Sequence, residues 1–363
     1  MQFEAFDHLE WVGMHADRAK NAAIATSNVV DFPLHSIPLD LKGIDLHVPN
    51  LDGHPEVLAE LARIYGVEPA QVIETTGASE ANFCAFAALA SPGDRVVVED
   101  PTYESLQLIP RSLGMQVVKV ERDPRMGFAL DLETLKQATT RGTRLVALTN
   151  LHNPSGVAIP RATLKGALEV AADAGAVLYV DEVFRDFGDA VPSVADLEGP
   201  GVAAGSMSKL YGLGWTRIGW TVSHDLATAD RIRRARRLIS AAGSTLGGAV
   251  AAWALREQAR FIARAKAIVG ENRVALTEWA ESLPGVQLTM PDGGPIAFPR
   301  VPLPRGTTGR SLAESLLAST GVLTVPGELF GRPGHFRVGC GSDPAKTREA
   351  LGALRRALGA GAP

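Results

Sequence analysis

Four short runs constrain the fold more than any other feature: Arg95–Glu99, Gln116–Glu121, Arg144–Thr149 and Ala176–Asp181. They are rich in β-branched residues and nearly continuous in apolar character. A strand with one wet face alternates polar and apolar residues, whereas a strand apolar on both sides must be covered on both. Between the runs lie stretches of helical spacing, Glu104–Leu113 and Pro160–Ala174. The second opens on a proline suited to a first helical turn and is followed by Gly175 as a stop. Buried strands alternating with helices predict an α/β fold with a mostly parallel central sheet flanked by helices. The pattern extends from about residue 41 to about residue 269.

The two ends read differently. Residues 1–40 are irregular and contain Pro33 and Pro38. After a helical stretch over Arg260–Leu283 comes a proline- and glycine-rich segment, Pro284–Gly309. A helix (Ser311–Ser319), a strand (Val322–Val325), a Pro-Gly turn, a strand (His335–Val338) and a last helix follow. The expected organisation is a large α/β domain, 41–269, beside a smaller α+β domain made of 1–40 plus 270–363, with a ligand cleft between them. A chain of 363 residues that is 46% hydrophobic can fill two cores.

Charge is balanced: 21% of residues are charged and the net charge is −4. Neither sign dominates, so nothing points to nucleic acid or a membrane as partner. Cys84 and Cys340 are far apart and are expected to be reduced thiols; the eight histidines lack metal-like spacing, so no metal is expected. The first 20 residues are charged throughout with no apolar core of a signal peptide, and no apolar run reaches the ~20 residues of a membrane span. A cytoplasmic location is the expectation.

Five segments carry chemistry. Gly205-Ser206-Met207-Ser208-Lys209 leads through a glycine-rich turn to Arg217. A lone loop lysine is ordinarily just solvated, but here Ser206, Ser208 and Arg217 supply phosphate donors close to an amine able to form a Schiff base. Asp181-Glu182-Val183-Phe184 ends an apolar run, at the edge where α/β sheets bind ligands; the plain alternative for Asp181 is a helix cap or loop carboxylate. Asn150-Leu151-His152-Asn153-Pro154-Ser155-Gly156 also follows a strand, and turn chemistry alone would explain it. Thr75-Thr76-Gly77-Ala78-Ser79 opens the helix Glu80–Ala90; it reads as an anion site, or as a cap formed by Thr76 or Ser79. Phe336-Arg337-Val338-Gly339-Cys340-Gly341 puts an arginine in an apolar strand, where it needs a partner: a substrate carboxylate or a structural ion pair.

In this order and spacing the five segments resemble the class I and II aminotransferases, fold-type I enzymes dependent on pyridoxal phosphate (PLP). The likeness runs from about Gly53 to Gly341, and Gly77-Ala78-Ser79-Glu80-Ala81-Asn82-Phe83 is similar to a compact prokaryotic branch labelled aspartate aminotransferase-like. The resemblance implies that Lys209 holds PLP as a Schiff base and moves the substrate proton, and that Asp181 pairs with the pyridine nitrogen. It implies that Asn153 bonds the ring 3-hydroxyl beside the substrate, that Tyr103 stacks on the ring, and that Ala78, Ser79, Ser206, Ser208 and Arg217 form the phosphate cup. Arg337 matches the residue that grips the α-carboxylate. The implied reaction is transfer of an amino group from an α-amino acid to a 2-oxo acid, in a homodimer with sites at the interface.

Two departures stand out. The family usually has tyrosine where this chain has Phe184; losing that hydrogen bond is expected to raise the Schiff-base pKa. A tyrosine near Val48 that reaches the neighbouring subunit's phosphate is also missing, with His47 or Asn50 as stand-ins. Both motivate a second reading, a PLP-dependent cyclase, oxidase or eliminase of specialised biosynthesis. A transcriptional regulator on this fold would need an added DNA-binding domain, for which the 40 or so residues before the large domain are expected to be too few. His152 is expected near the cofactor edge or in packing, Trp215 and Trp220 in the core, and the arginines of 231–237 on a solvated helix face or between subunits. Arg18 and Arg185 are candidates for holding a dicarboxylate substrate.

Overall fold

The computed structural model describes residues 3–38, 40–48 and 50–359. Its main sheet contains β1 (Val72–Thr75), β2 (Arg95–Asp100), β3 (Gln116–Glu121), β4 (Thr143–Thr149), β5 (Val177–Asp181), β6 (Gly201–Ser206) and β7 (Gly219–Val222), in the order β1-β7-β6-β5-β4-β2-β3. Neighbours from β3 through β6 pair in parallel, and β7 runs antiparallel to both β6 and β1. The sheet is thus mostly parallel and flanked by helices, as the apolar runs predict.

Alternate residues of each central strand serve opposite cores. Val96, Val98, Leu145, Ala147, Tyr179, Val202 and Ala204 pack against Ala81, Cys84, Ala85 and Phe86 of the helix Ala78–Leu89 and Ile232 of the helix Leu226–Ile239. Val97, Val146, Leu148, Leu178, Val180 and Ala203 pack on the other side against Leu164, Ala167 and Leu168 of the helix Arg161–Asp173 and against the helix Thr245–Arg256. Each fully buried valine or leucine contributes about 1.5–3 kcal/mol relative to an exposed one, so an apolar residue at every strand position is the signature of this double cover.

A second sheet, β8 (Ile296–Ala297), β9 (Val325–Pro326) and β10 (Phe336–Gly339), has the order β8-β10-β9 and is antiparallel. Its core gathers Trp11 and Ile24 from the start of the chain with Leu312, Leu316, Leu351 and Leu354 from the end. The long helix Gln258–Glu281 serves both: Phe261, Ala265 and Val269 lie in the first core, Ala275, Leu276 and Trp279 in the second.

Several local expectations change. Pro160 is the cap before the helix rather than its first turn. Where a strand over Val322–Val325 is expected, Val322 forms an isolated bridge to Asn21 and the strand begins at Val325. Trp220 is buried, its indole N–H donating to the Tyr65 hydroxyl at 3.1 Å, but Trp215 is half-exposed and not core. Arg236 is likewise no solvated residue: it is 1% exposed and donates to the carbonyls of Glu74, Leu51 and Ser240. Cys84 and Cys340 are free and buried, and burial pushes both thiols up to about 12. No helix among the described residues is long and apolar enough to cross a membrane, and they contain no cluster of three or more metal-ligating side chains.

Candidate active site

Because β1, β2, β4, β5 and β6 point the same way, their C-terminal ends form one edge, joined there by the start of β7. The register sets Thr149 beside Asp181, Asp181 beside Ala204, and Gly219 beside both Ser206 and Thr75. Chain leaving this edge lines a cavity of about 310 Å³. Ala78, Ser79, Tyr103, Asn153, Asp181, Phe184, Ser206, Ser208, Lys209 and Arg217 all line it. Arg337 stands apart on β10, next to Val325 of β9.

The anion end is built on close approach. Gly77 caps the helix Ala78–Leu89 at φ 77°, and no side chain caps it, so the expected Thr76 or Ser79 cap is absent. Its first-turn N–H groups are left for another acceptor. A Cβ on Gly77 would come within 2.5 Å of the Arg217 guanidinium, which therefore lies directly over this helix end. Arg217 itself is held at φ 57° and donates to the carbonyls of Gly214, at 3.1 Å, and Thr76, at 3.2 Å. A non-glycine residue in this region costs roughly 1 kcal/mol or more, which points to a conformation fixed by its surroundings.

At the other end sits Asp181, the last residue of β5 and 5% exposed. It accepts from the Val183 N–H and from Asn82 Nδ2, both at 3.2 Å. The Tyr179 hydroxyl donates to Asn82 Oδ1, which turns the amide nitrogen toward Asp181. Burial pushes the Asp181 carboxyl up; the Val183 N–H, Asn82 and the charge of Lys209 pull back. Asn82 was not singled out from sequence, although it follows Ala78 and Ser79 by four and three residues and so shares their helix face.

Lys209 Nζ donates to Ser27 Oγ at 2.9 Å and Asn28 Oδ1 at 3.0 Å, and lies 5.8 Å from the Phe184 ring centre. Burial, and then the charge of Arg337, lower its pKa to about 8 against the pull of Asp181. Ser27 and Asn28 are further residues that the motifs do not reveal.

Asn153 is buried; its N–H donates to Thr149 Oγ1 at 2.9 Å and its side-chain oxygen meets no partner among the described residues. Thr149 in turn donates to the buried Glu99, which is paired with Arg122 at 2.9 Å. His152 clips two loops together: Nε2 donates to the Pro101 carbonyl at 2.8 Å, which leaves Nδ1 to accept from Ser155 Oγ at 2.6 Å. Its role is structural.

Arg337 is 3% exposed, yet only one nitrogen is engaged, Nη2 donating to the Ala25 carbonyl at 3.0 Å. Nε and Nη1 have no partner among the described residues, and burial lowers its pKa to about 10. A buried guanidinium with free donors is a waiting anion site. Neither candidate for a second carboxylate is available there: Arg185 is committed to Glu182 and Asp186, and Arg18 is exposed. Of the suggested stand-ins near Val48, Asn50 is tied to Gly243 and Thr245, while His47 is exposed.

Comparison with known proteins agrees with this geometry. The model of the family "Aminotransferase class I and II" matches residues 34–354. Capreomycidine synthase of Streptomyces vinaceus is 36% identical over 298 residues, 80% of this chain and 75% of that one. A PLP-dependent aminotransferase from Streptococcus suis superposes with TM-score 0.94 at 28% identity over 100% of both chains. The PLP-dependent cyclase OrfR superposes with TM-score 0.88 at 27% identity, covering 100% of this chain and 99% of the other. The chain belongs to the class I and II aminotransferase family of PLP-dependent enzymes.

Proposed function

We propose that the protein is an aminotransferase that moves the amino group of an α-amino acid to a 2-oxo acid, with Lys209 as the catalytic lysine. The observation that carries this reading is a buried amine of lowered pKa between a buried carboxylate, Asp181, and an anion cradle at Arg217 and the helix end. The residues present fit PLP. Arg217, Ser206, Ser208, Ser79 and the N–H groups beginning at Ala78 would hold its phosphate. Asp181 would pair with its ring nitrogen, Tyr103 would cover its face, and Asn153, whose side-chain oxygen has no partner among the described residues, lines the same cavity. Bound there, the cofactor supplies an electron sink that makes a substrate's α-proton acidic. Arg337 anchors the substrate α-carboxylate with its two free nitrogens, and Lys209 Nζ takes the proton from the substrate Cα. This reading assigns the cradle to a large domain, 41–269, and the carboxylate anchor to a small one, 1–40 plus 270–363. Purified protein mixed with PLP is expected to gain a visible absorption band that an amino donor bleaches, with one 2-oxo acid released per amino group moved.

A second reading, a cyclase, oxidase or eliminase, draws on Phe184 and on the similarity to a synthase and a cyclase. Release of ammonia or peroxide, or a cyclised product, without need of a 2-oxo acid acceptor would favour it. Phe184 is 1% exposed and lines the cavity. Phe184→Tyr adds a donor to the anionic form of the cofactor's ring oxygen, so the pH midpoint of the visible band is expected to fall by about one unit, equivalent to about 1.4 kcal/mol. Spectrophotometric titration of the two proteins checks this.

A homodimer is part of the proposal. Leu51, Leu238, Ile239 and Leu246 are exposed together where the segment at Asn50 is tied to Gly243 and Thr245. Such a patch needs cover. Leu238→Asp, at a side chain 90% exposed, is expected to turn a dimer into a monomer in light scattering while leaving the fold intact.

A further inference from the structure

His8 has no part in the site as described so far. It stands on the first turn of the helix Asp7–Ala16 and is 5% exposed. Neither Nδ1 nor Nε2 meets a donor or acceptor among the described residues. A buried polar group left unpaired is costly, so each such group calls for a reason. The ring is firmly held, edge-on to Tyr103 at 6.0 Å and tilted against Phe330 at 5.6 Å. The Arg337 guanidinium lies over the same Phe330 ring at 5.6 Å. Imidazole and guanidinium thus flank one phenyl ring, and both have free nitrogens. The His8 backbone N–H donates to Glu104 Oε2 at 2.9 Å, which fastens the helix to the residue after Tyr103. Burial, then the charges of Arg337 and Lys209, hold the imidazole neutral, with a pKa of about 2. A neutral imidazole offers one donor and one acceptor.

We propose that His8 binds the side chain of the substrate and selects one with a nitrogen-bound hydrogen-bond donor, an amide or a guanidinium, over one that ends in a carboxylate. The inference rests on the reading that the cavity takes an α-amino acid held by Arg337. Tyr103 lines the cavity and meets the His8 ring edge-on, so with the α-carboxylate on Arg337 a substrate side chain directed past Tyr103 and Phe330 comes to His8. A second carboxylate buried there would need a cation, and the neutral ring supplies none. An N–H donor fills the free lone pair of His8, and the Glu104 carboxylate beside it favours the same polarity.

The test uses PLP-loaded protein titrated with L-arginine, L-glutamine, L-aspartate and L-alanine, following the visible band, in wild type, His8→Phe and His8→Gln. Wild type is expected to respond at lower concentration to L-arginine or L-glutamine than to L-aspartate. His8→Phe keeps the bulk and removes both nitrogens. It is expected to raise the half-saturating concentration about tenfold more for the better of these two than for L-alanine, and His8→Gln to recover part of the loss. Preference of the wild type for L-aspartate, or an equal loss with L-alanine in both variants, overturns the assignment of His8 and leaves the proposed function standing. Protein that takes up no PLP, or whose band no amino acid alters, overturns the proposed function as well.

Discussion

Lys209→Ala is expected to lower turnover by about 10³-fold or more, since a positioned proton carrier alone contributes about 10²–10⁴. The substitution also removes the amine that would link to the cofactor. The cradle at Arg217 and Gly77 and the carboxylate of Asp181 would remain, so the variant should still bind PLP, without the visible band of the linked form. Single-turnover mixing with an amino donor separates binding from chemistry. The pH dependence follows from where the amine sits. Burial and the nearby Arg337 disfavour its charged form, so its pKa falls from 10.5 to about 8. A lowered lysine pKa means that the free amine appears as pH rises through about 8 rather than above 10. The rate at which cofactor-free protein acquires the visible band should therefore rise between pH 7 and 8 and level off above. A rate that climbs on past pH 10, or a Lys209→Ala variant that turns over within tenfold of wild type, would show that Lys209 is not the reactive amine.

How far the sequence revealed this arrangement depended on what each residue had to touch. β2, β4 and β5 were legible within a residue or so because both of their faces are covered and most of their positions are buried; β3, the part-exposed edge strand, was marked instead by its β-branched Val117, Val118 and Val120. β6 and β7 were not. β6 reads Gly-Val-Ala-Ala-Gly-Ser because the Trp220 ring packs where a Cβ on Gly205 would stand, 2.5 Å away. β7 opens on Gly219, whose Cβ would come within 2.4 Å of the Gly77 backbone. The close approach that brings the lysine loop, Arg217 and the helix end together demands glycines, and glycines read as turns.

The site divides along the same line. Residues at strand ends, Asp181, Asn153 and Ser206, stand in short motifs and could be named from local pattern. Ser27, Asn28 and His8 could not, because their contacts cross more than 90 residues of sequence and no local periodicity marks them. Arg236 illustrates the reverse error: an arginine-rich helix face looks solvated, and only the tertiary structure brings three backbone carbonyls to one of its members.

Asp181→Asn is the second large effect, and it separates charge from shape. The amide keeps the size of the carboxylate and, with its oxygen on the Val183 N–H, gives up only the bond from Asn82 Nδ2, which reaches the other oxygen, so the fold should change little. What disappears is the negative charge that would keep the cofactor's ring nitrogen protonated. Burial raises the pKa of Asp181, and that cost is best offset by a cation against it. Loss of one preorganised electrostatic partner costs about 10²–10³ in turnover, and the same range is expected here, with half-saturation by the donor nearly unchanged. Asn82 acts on this charge from behind: Tyr179 fixes its amide, and its Nδ2 donates to the carboxylate at 3.2 Å. Asn82→Ala should therefore cost about tenfold, much less than Asp181→Asn. Because both substitutions act through one carboxylate, the double variant should be little worse than Asp181→Asn alone. A double variant whose loss equals the product of the two single losses would mean that Asn82 serves the site by some route other than Asp181.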